Sequence, residues 1–248
     1  MERGDRAFEI ELDLVRHVLR LRDERGRTPS FPLEPMTVAE FYRRFLELVR
    51  SLDIEVRIYR RPVEVSAAIP FDEDQVHASY DRTWAERLHQ VLLTSDALLK
   101  EFRGLFVGKA SPVHFFWGGF DLAATRFSGR TAPPHPGGIP NVGDWVMREA
   151  YSHEVISAGF WPGSIDYPEP TFYAYAYPQP AGFEGAAVRP AAARWDTTLR
   201  EFVLPYHAVR RSSDPAGDVR AFLHSTYAAA ADAAGWDRGA LERQEPRP

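Results

Sequence analysis

The chain of 248 residues contains no cysteine. This absence excludes thiolate zinc sites, iron–sulfur clusters, thiol nucleophiles and disulfide frameworks. The formal net charge of −5 argues against a nucleic-acid-binding surface, so we expect no nucleic-acid partner. No apolar run approaches the ~20 residues that span a membrane, and we expect no membrane partner. The charged N-terminus does not resemble a signal peptide, which predicts a cytoplasmic protein.

The common nucleotide-binding and nucleophile motifs are also missing. The sequence has no G-x-x-x-x-G-K-[ST], no G-x-G-x-x-G and no G-x-S-x-G. His153 and Glu154 begin like a zinc-protease helix, but Ser157 stands where that motif needs its second histidine. The sequence therefore identifies no cofactor and leaves open whether the protein is an enzyme.

Hydrophobic periodicity predicts a mixture of strands and helices. Apolar and charged residues alternate from Phe8 to Leu14, as in a half-buried strand, and Thr37 with Glu40 forms a capping box before an amphipathic helix. We expect an α+β protein in which an antiparallel sheet is flanked by about three long helices, in a single domain covering residues 1–248. Long helices are predicted near residues 37–51, 81–103 and 215–234, and further strands at 54–59, 113–127, 145–160 and 171–177.

One segment concentrates aromatic, proline and histidine residues, and there we predict a small-molecule pocket between residues 112 and 177. Proline-rich loops on a sheet are stiff, aromatic rings form apolar walls, and histidines titrate near neutral pH. The alternative for each aromatic ring is ordinary packing in the core of the sheet. The residues predicted to bind a ligand are Trp117, Asp121, His135, Glu154, Trp161, Tyr173 and Tyr175.

Three polar residues of this segment are the catalytic candidates: His114, His153 and Arg126. The two histidines would act as general acid and general base. Arg126 would bind an anionic group or form a buried pair with Asp121, and both alternatives stay open. If the histidines serve one site, their rings should face a shared cavity that also includes Arg126 or Trp161.

A metal ion is not expected from the sequence. The ligands that a catalytic metal would use are His114, His135 and His153, because three imidazoles can hold such an ion with one position open. Their spacing matches no local ligand motif, so they carry no metal prediction.

Several long motifs resemble an uncharacterised bacterial family, domain of unknown function 5996. The resemblance implies little about activity, since no activity is known for the family. It also implies that members begin with an additional N-terminal segment, which we expect this chain to lack. The motifs that carry the resemblance are residues 114–123, 125–130, 134–137, 149–154, 159–163, 172–175 and 204–206, together with the final helix.

The function most consistent with these features is that of a cytoplasmic small-molecule enzyme or ligand-binding protein. The alternative is a non-catalytic protein-interaction domain that uses its aromatic and proline-rich surface. The strand that starts near Phe8 would lie at an exposed sheet edge, which predicts self-association as a homo-oligomer.

Overall fold

A computed structural model describes residues 2–3 and 6–243 of the chain. The structure groups the chain into two compact units, Met1–Val91 and Leu92–Pro248, and each is described by itself. The single domain stays a prediction. Within the described residues, no helix is both long and apolar enough to cross a membrane.

The first unit contains a four-stranded antiparallel sheet with strands in the order β1-β2-β3-β4. Its elements are β1 (Glu2–Arg3), β2 (Arg6–Asp13), β3 (Val18–Asp23), β4 (Ser30–Pro32) and α1 (Val38–Arg50). The capping box is confirmed, because the Glu40 backbone N–H donates to Thr37 Oγ1 at 3.1 Å. β1 pairs only with Arg6 and Ala7 at the start of β2, and self-association through this edge stays a prediction.

The strand predicted at residues 54–59 is wrong. These residues form no strand, although Ile54 is buried and Val56 packs against the same hydrophobic core. Alternation of apolar residues reports burial on one side of the chain. It does not supply the neighbouring strand whose backbone groups would complete a ladder.

The second unit contains a six-stranded antiparallel sheet with strands in the order β5-β6-β7-β8-β10-β9. The helix α2 contains the residue at which the two units divide, and a short 3₁₀ helix covers Phe183–Gly185. The elements are α2 (Arg82–Gly104), β5 (His114–Phe116), β6 (Asp121–Thr131), α3 (Asp144–Ala150), β7 (His153–Trp161), β8 (Thr171–Tyr177), β9 (Arg194–Asp196), β10 (Glu201–Pro205), α4 (Tyr206–Arg211), α5 (Pro215–Ala233) and α6 (Arg238–Leu241).

The sequence locates the long helices well and two strands less well. The helices α1, α2 and α5 lie where they are predicted, while α3, α4 and α6 are short helices that were not predicted. The predicted strand 145–160 begins as a helix, because Asp144 in the first turn and Arg148 in the last suit the helix dipole. The predicted strand 113–127 is a hairpin, whose turn contains Phe120 with a left-handed φ of 62°.

Strand register gives the six-stranded sheet two distinct faces. The helix α5 packs against β7, β8 and β10, and the face toward it carries apolar residues such as Ile156, Phe172 and Leu204. Residues one position along each strand point the other way. We call this second side the tyrosine face, and its polar members are Asp121, Thr125, Ser157, Tyr173, Tyr175 and Glu201.

Candidate functional site

A tyrosine and an aspartate are joined across β7 on the tyrosine face. Tyr173 on β8 donates its hydroxyl hydrogen bond to Asp121 on β6, although β7 lies between the two strands. Gly159 makes this reach feasible, because a Cβ at that position would lie 2.8 Å from the Tyr173 hydroxyl. Burial raises the pKa of Asp121 even though it accepts this hydrogen bond. Burial, together with the charge of Asp121, raises the pKa of Tyr173 as well.

A second tyrosine extends the polar row along β8. The rings of Tyr173 and Tyr175 are nearly parallel, with centroids 6.2 Å apart and planes at 14°. The Tyr175 hydroxyl lies 2.8 Å from that of Tyr151, which follows α3. Tyr151 in turn stacks on His135 at a centroid distance of 4.8 Å. His135 and Tyr175, both predicted ligand-binding residues, therefore lie at the same row of rings.

Two hydroxyl side chains link the strands beneath this row. Thr125 on β6 and Ser157 on β7 are register partners, and their hydroxyl oxygens lie 2.9 Å apart. Ser157 is buried, and its register partner on β8 is Tyr175. The face therefore holds hydroxyl groups on three neighbouring strands.

Glu201 is an acidic residue on this face that lies near other acids. It starts β10, and the register puts it on the same side as Tyr173 and beside Tyr175. Its side chain is half-buried, and residues 2–3 and 6–243 give it neither a hydrogen-bond donor nor a cation. Burial, with the charges of Asp121 and Asp196, raises the pKa of Glu201 to about 8.

Asp196 differs from the other two carboxyl groups, because it is well supplied with donors. Burial raises its pKa, but hydrogen bonds from the backbone N–H groups of Leu199 and Thr198 and from the Tyr167 hydroxyl outweigh this and hold the pKa below its usual value. Asp196 is therefore ionised at neutral pH. Since it is the register partner of Glu201 on β9, its negative charge lies at the end of the tyrosine face.

The expectation that His114 and His153 face a shared cavity is wrong. Both rings are exposed, and the Nδ1 atom of His153 lies 3.1 Å from the hydroxyl oxygen of the adjacent Ser152. His114 is in register with Ala123 and, through it, with Gly159, which lies six residues along β7 from His153. That separation corresponds to ~20 Å along a strand. His114 still lies close enough to Asp121 for its positive charge to favour the ionised carboxyl.

Arg126 lies on the opposite side of the sheet from Asp121, so the predicted ion pair between them is wrong. It is 2% exposed and donates a hydrogen bond to the Phe102 carbonyl oxygen. Its guanidinium carbon lies 3.5 Å from the ring centroid of Phe102 and 4.2 Å from that of Tyr227. Burial lowers the pKa of Arg126 to about 10. These contacts enclose the guanidinium, although its Nε has no hydrogen-bond partner among the described residues, and binding of an anionic group by Arg126 stays a prediction.

The remaining predicted residues lie at the margins of the tyrosine face or away from it. Glu154 accepts from Arg130 at 2.9 Å and lines a groove of about 200 Å³ beside the end of α5. Trp117 is 66% exposed in the β5–β6 turn. Trp161 donates to the Gly119 carbonyl at 2.9 Å and stacks on Tyr167, which connects it to Asp196.

Metal binding finds no support in the part of the chain that the structure describes. No group of three or more histidine, aspartate or glutamate side chains is placed to hold an ion there, and His114, His135 and His153 do not form one.

Sequence reasoning missed Glu201 and Ser157. Glu201 and Leu204 are three residues apart, and residues an odd number of positions apart on a strand point to opposite faces. This spacing was the only sequence signal that Glu201 faces away from the apolar side.

Among the comparisons with known proteins, the one with protein-family models found a match. No curated protein matches the chain, and no solved structure matches it. One family model matches residues 1–243, which is nearly the whole chain. The chain therefore belongs to this family, described as a family of unknown function (DUF5996).

Proposed function

We propose that this protein binds a small organic molecule on the tyrosine face, in the cytoplasm, and that Glu201 and Asp121 exchange protons with it. The observation that carries the proposal is the Glu201 carboxyl, which is half-buried near Asp121 and Asp196 and has no donor among the described residues. A fold gains nothing in stability from such a group, since carboxyl groups that lie close together repel one another when they are ionised. Perturbed carboxyl groups of this kind cluster at functional sites.

The chemistry available at this face is general acid–base catalysis. A carboxyl with a pKa of about 8 is populated in both protonation states near neutral pH, so it can donate or accept a proton. Asp121 has a raised pKa as well and is held in place by the Tyr173 hydroxyl. The linked hydroxyl groups of Tyr175 and Tyr151 add donors and acceptors that could orient a ligand.

A fragment screen tests this proposal. Ligand-observed NMR would compare the wild-type protein with Glu201→Gln, which keeps the size of the side chain and removes its titration. Glu184→Gln is the matched control, because Glu184 is exposed and bonds only to Gln179. We expect hits whose affinity falls at least tenfold in Glu201→Gln and is unchanged in Glu184→Gln. Hits that bind Glu201→Gln as well as wild type would contradict the proposal.

The protein-interaction alternative stays a prediction. The rings of Phe116, Trp117 and Phe120 at the β5–β6 hairpin are exposed, as that alternative requires. Phe116 is the register partner of Asp121, but Trp117 lies in the turn beyond it, so Trp117→Ser should leave fragment binding at the tyrosine face unchanged.

A further inference from the structure

We infer that the groove beside the end of α5 binds a flat, uncharged ring compound with a hydrogen-bond donor at its edge, such as an N–H heterocycle, and that Glu154 accepts from this donor. We call it the α5 groove, and it lies within the second unit, on the helix side of the sheet. The inference goes beyond the proposed function and does not depend on it. The residues that line the groove include Glu154, Ala176, Pro178, Pro180, Ala233 and Trp236.

One oxygen of the Glu154 carboxylate is held in place by the chain. Oε2 accepts from Ser128 Oγ at 2.9 Å and from Arg130 Nε at 2.9 Å, and Nη2 of the same arginine lies 2.7 Å from it. Gly129, whose φ of 88° suits a residue without a side chain, turns the chain between Ser128 and Arg130. These contacts fix the carboxylate before a ligand arrives, which reduces the entropic cost of binding.

The other carboxylate oxygen of Glu154, Oε1, is available to a ligand. It accepts no hydrogen bond from the described residues. It is not among the buried side-chain atoms that the described chain leaves without a partner, so solvent reaches it. A carboxylate oxygen can only accept, and a hydrogen bond to a charged group is stronger than one between neutral groups. The α5 groove therefore offers a ligand one acceptor in a fixed position.

The charges at the groove favour an uncharged ligand. α5 ends at Ala233 with no basic residue in its last turn, and the carbonyl groups of a helix C-terminus carry partial negative charge. Arg130 offsets this charge together with that of Glu154, because it also donates to the Ala234 carbonyl oxygen at 2.7 Å. An anion would be repelled by Oε1 and by the helix end, and a cation would be repelled by Arg130. A neutral donor meets neither penalty.

The walls of the α5 groove suit a small flat ring. Pro178, Pro180 and Trp236 present flat, rigid apolar surfaces on which a ring can pack, and the short side chains of Ala176 and Ala233 leave space between β8 and α5. The volume of about 200 Å³ equals that of about seven water molecules at ~30 Å³ each. A compound of one or two rings has this size, whereas drug-sized sites measure ~300–1,000 Å³.

A matched pair of probes tests the role of the donor. Indole carries an N–H group, and benzofuran has the same two-ring shape with an oxygen in its place. Chemical-shift titration of the ¹⁵N-labelled protein at neutral pH would follow the amides of Ala176, Ala233 and Trp236, which line the groove. We expect indole to bind wild type at least tenfold more tightly than benzofuran, because only indole can donate to Oε1. Benzoate and benzylamine should bind more weakly than indole.

Glu154→Gln reverses the hydrogen-bonding character of the groove. Ser128 and Arg130 need an acceptor, so the amide oxygen takes the place of Oε2 and the NH₂ group takes that of Oε1. Indole should therefore lose its tenfold preference over benzofuran. Glu169→Gln is the matched control, because Glu169 is also paired with an arginine, Arg194, but does not line the groove. This control should keep the preference.

A second variant tests the location. Ala233 is an exposed residue at the end of α5, so Ala233→Leu should preserve the fold, fill the groove and weaken both ring probes at least tenfold. The inference is overturned if no probe shifts these amides, if Ala233→Leu leaves indole binding intact, or if Glu154→Gln keeps the preference for indole. Equal binding of indole and benzofuran, or tighter binding of a charged probe, would also overturn it.

The same titrations keep the α5 groove separate from the tyrosine face. Glu201→Gln should leave indole binding at the groove unchanged, because Glu201 lies on the other side of the sheet. A fragment that shifts the amides of Ala176, Ala233 and Trp236 is assigned to the groove and is not counted at the tyrosine face. Failure of the inference therefore leaves the proposed function standing, and failure of the proposed function leaves the inference standing.

Discussion

The two faces of the six-stranded sheet bury opposite charges in opposite ways. On the helix side, the cation of Arg126 lies among the rings of Phe102, Phe106 and Tyr227 and bonds to a carbonyl oxygen. On the tyrosine face, Glu201 lies among groups of its own sign. The two groups differ in their neighbours: rings and a carbonyl oxygen attract the cation of Arg126, although its Nε has no hydrogen-bond partner among the described residues, whereas acids repel the charge of Glu201. The proposed function is therefore based on Glu201 and not on Arg126, because like charges surround only Glu201.

The pKa shifts express the same contrast. Burial lowers the pKa of Arg126 to about 10, which still leaves it charged at neutral pH. Burial and neighbouring acids raise the pKa of Glu201 to about 8, which leaves it mostly protonated there. At neutral pH the group buried on the helix side is therefore charged, while Glu201 on the tyrosine face is mostly neutral.

Removing the enclosed cation should have the largest effect on stability. Arg126→Ala would leave a cavity among three rings and remove a hydrogen bond to the Phe102 carbonyl oxygen, at a cost of about 3–4 kcal/mol. Arg126→Met fills the cavity with an apolar chain and should cost less than half as much. Urea denaturation measures both. Equal losses in the two variants would show that the charge, and not the packing, stabilises this side.

Adding a methyl group at Gly159 should disturb the tyrosine face itself. A Cβ there would meet the Leu122 carbonyl oxygen and the Tyr173 hydroxyl, neither of which has room to retreat in a paired sheet. We expect Gly159→Ala to cost about 2–3 kcal/mol and to weaken ligand binding. Gly185→Ala is the control, because a Cβ there meets no atom within 4 Å. A neutral Gly159→Ala would mean that Tyr173 does not cross β7 at this point.

The separation of the two faces was partly predictable from the sequence. The alternation of tyrosine and alanine in residues 171–177 predicted a strand with a tyrosine side, and β8 confirms the strand. The predicted ion pair between Asp121 and Arg126 is wrong because residues five apart on a regular strand point to opposite faces. Glu201 was missed because its importance comes from Asp121 and Asp196, which the chain brings to it only through strand order.

Ionisation of Glu201 should also make the stability of the protein depend on pH. Its pKa is about 8 in the folded protein and near 4.5 in the unfolded chain. Between these values the folded state keeps a proton that the unfolded state releases, so stability falls as the pH rises from about 4.5 to about 8. Glu201→Gln removes this proton, and the free energy of unfolding of wild type relative to the variant should drop by about 1–3 kcal/mol across that window. A constant difference between the two would contradict an elevated pKa.

The smallest effect is expected at His153, which belongs to neither buried arrangement. Its ring is exposed, and its only side-chain partner among the described residues is the neighbouring Ser152. His153→Ala should therefore change the free energy of unfolding by less than about 0.5 kcal/mol, as most exposed substitutions do. It should also leave fragment binding at the tyrosine face unchanged, because its position on β7 is ~20 Å from Gly159. Loss of binding in this variant, with stability intact, would show that the ligand binds at the other end of the sheet, near His153. It would contradict the contrast drawn between the two faces.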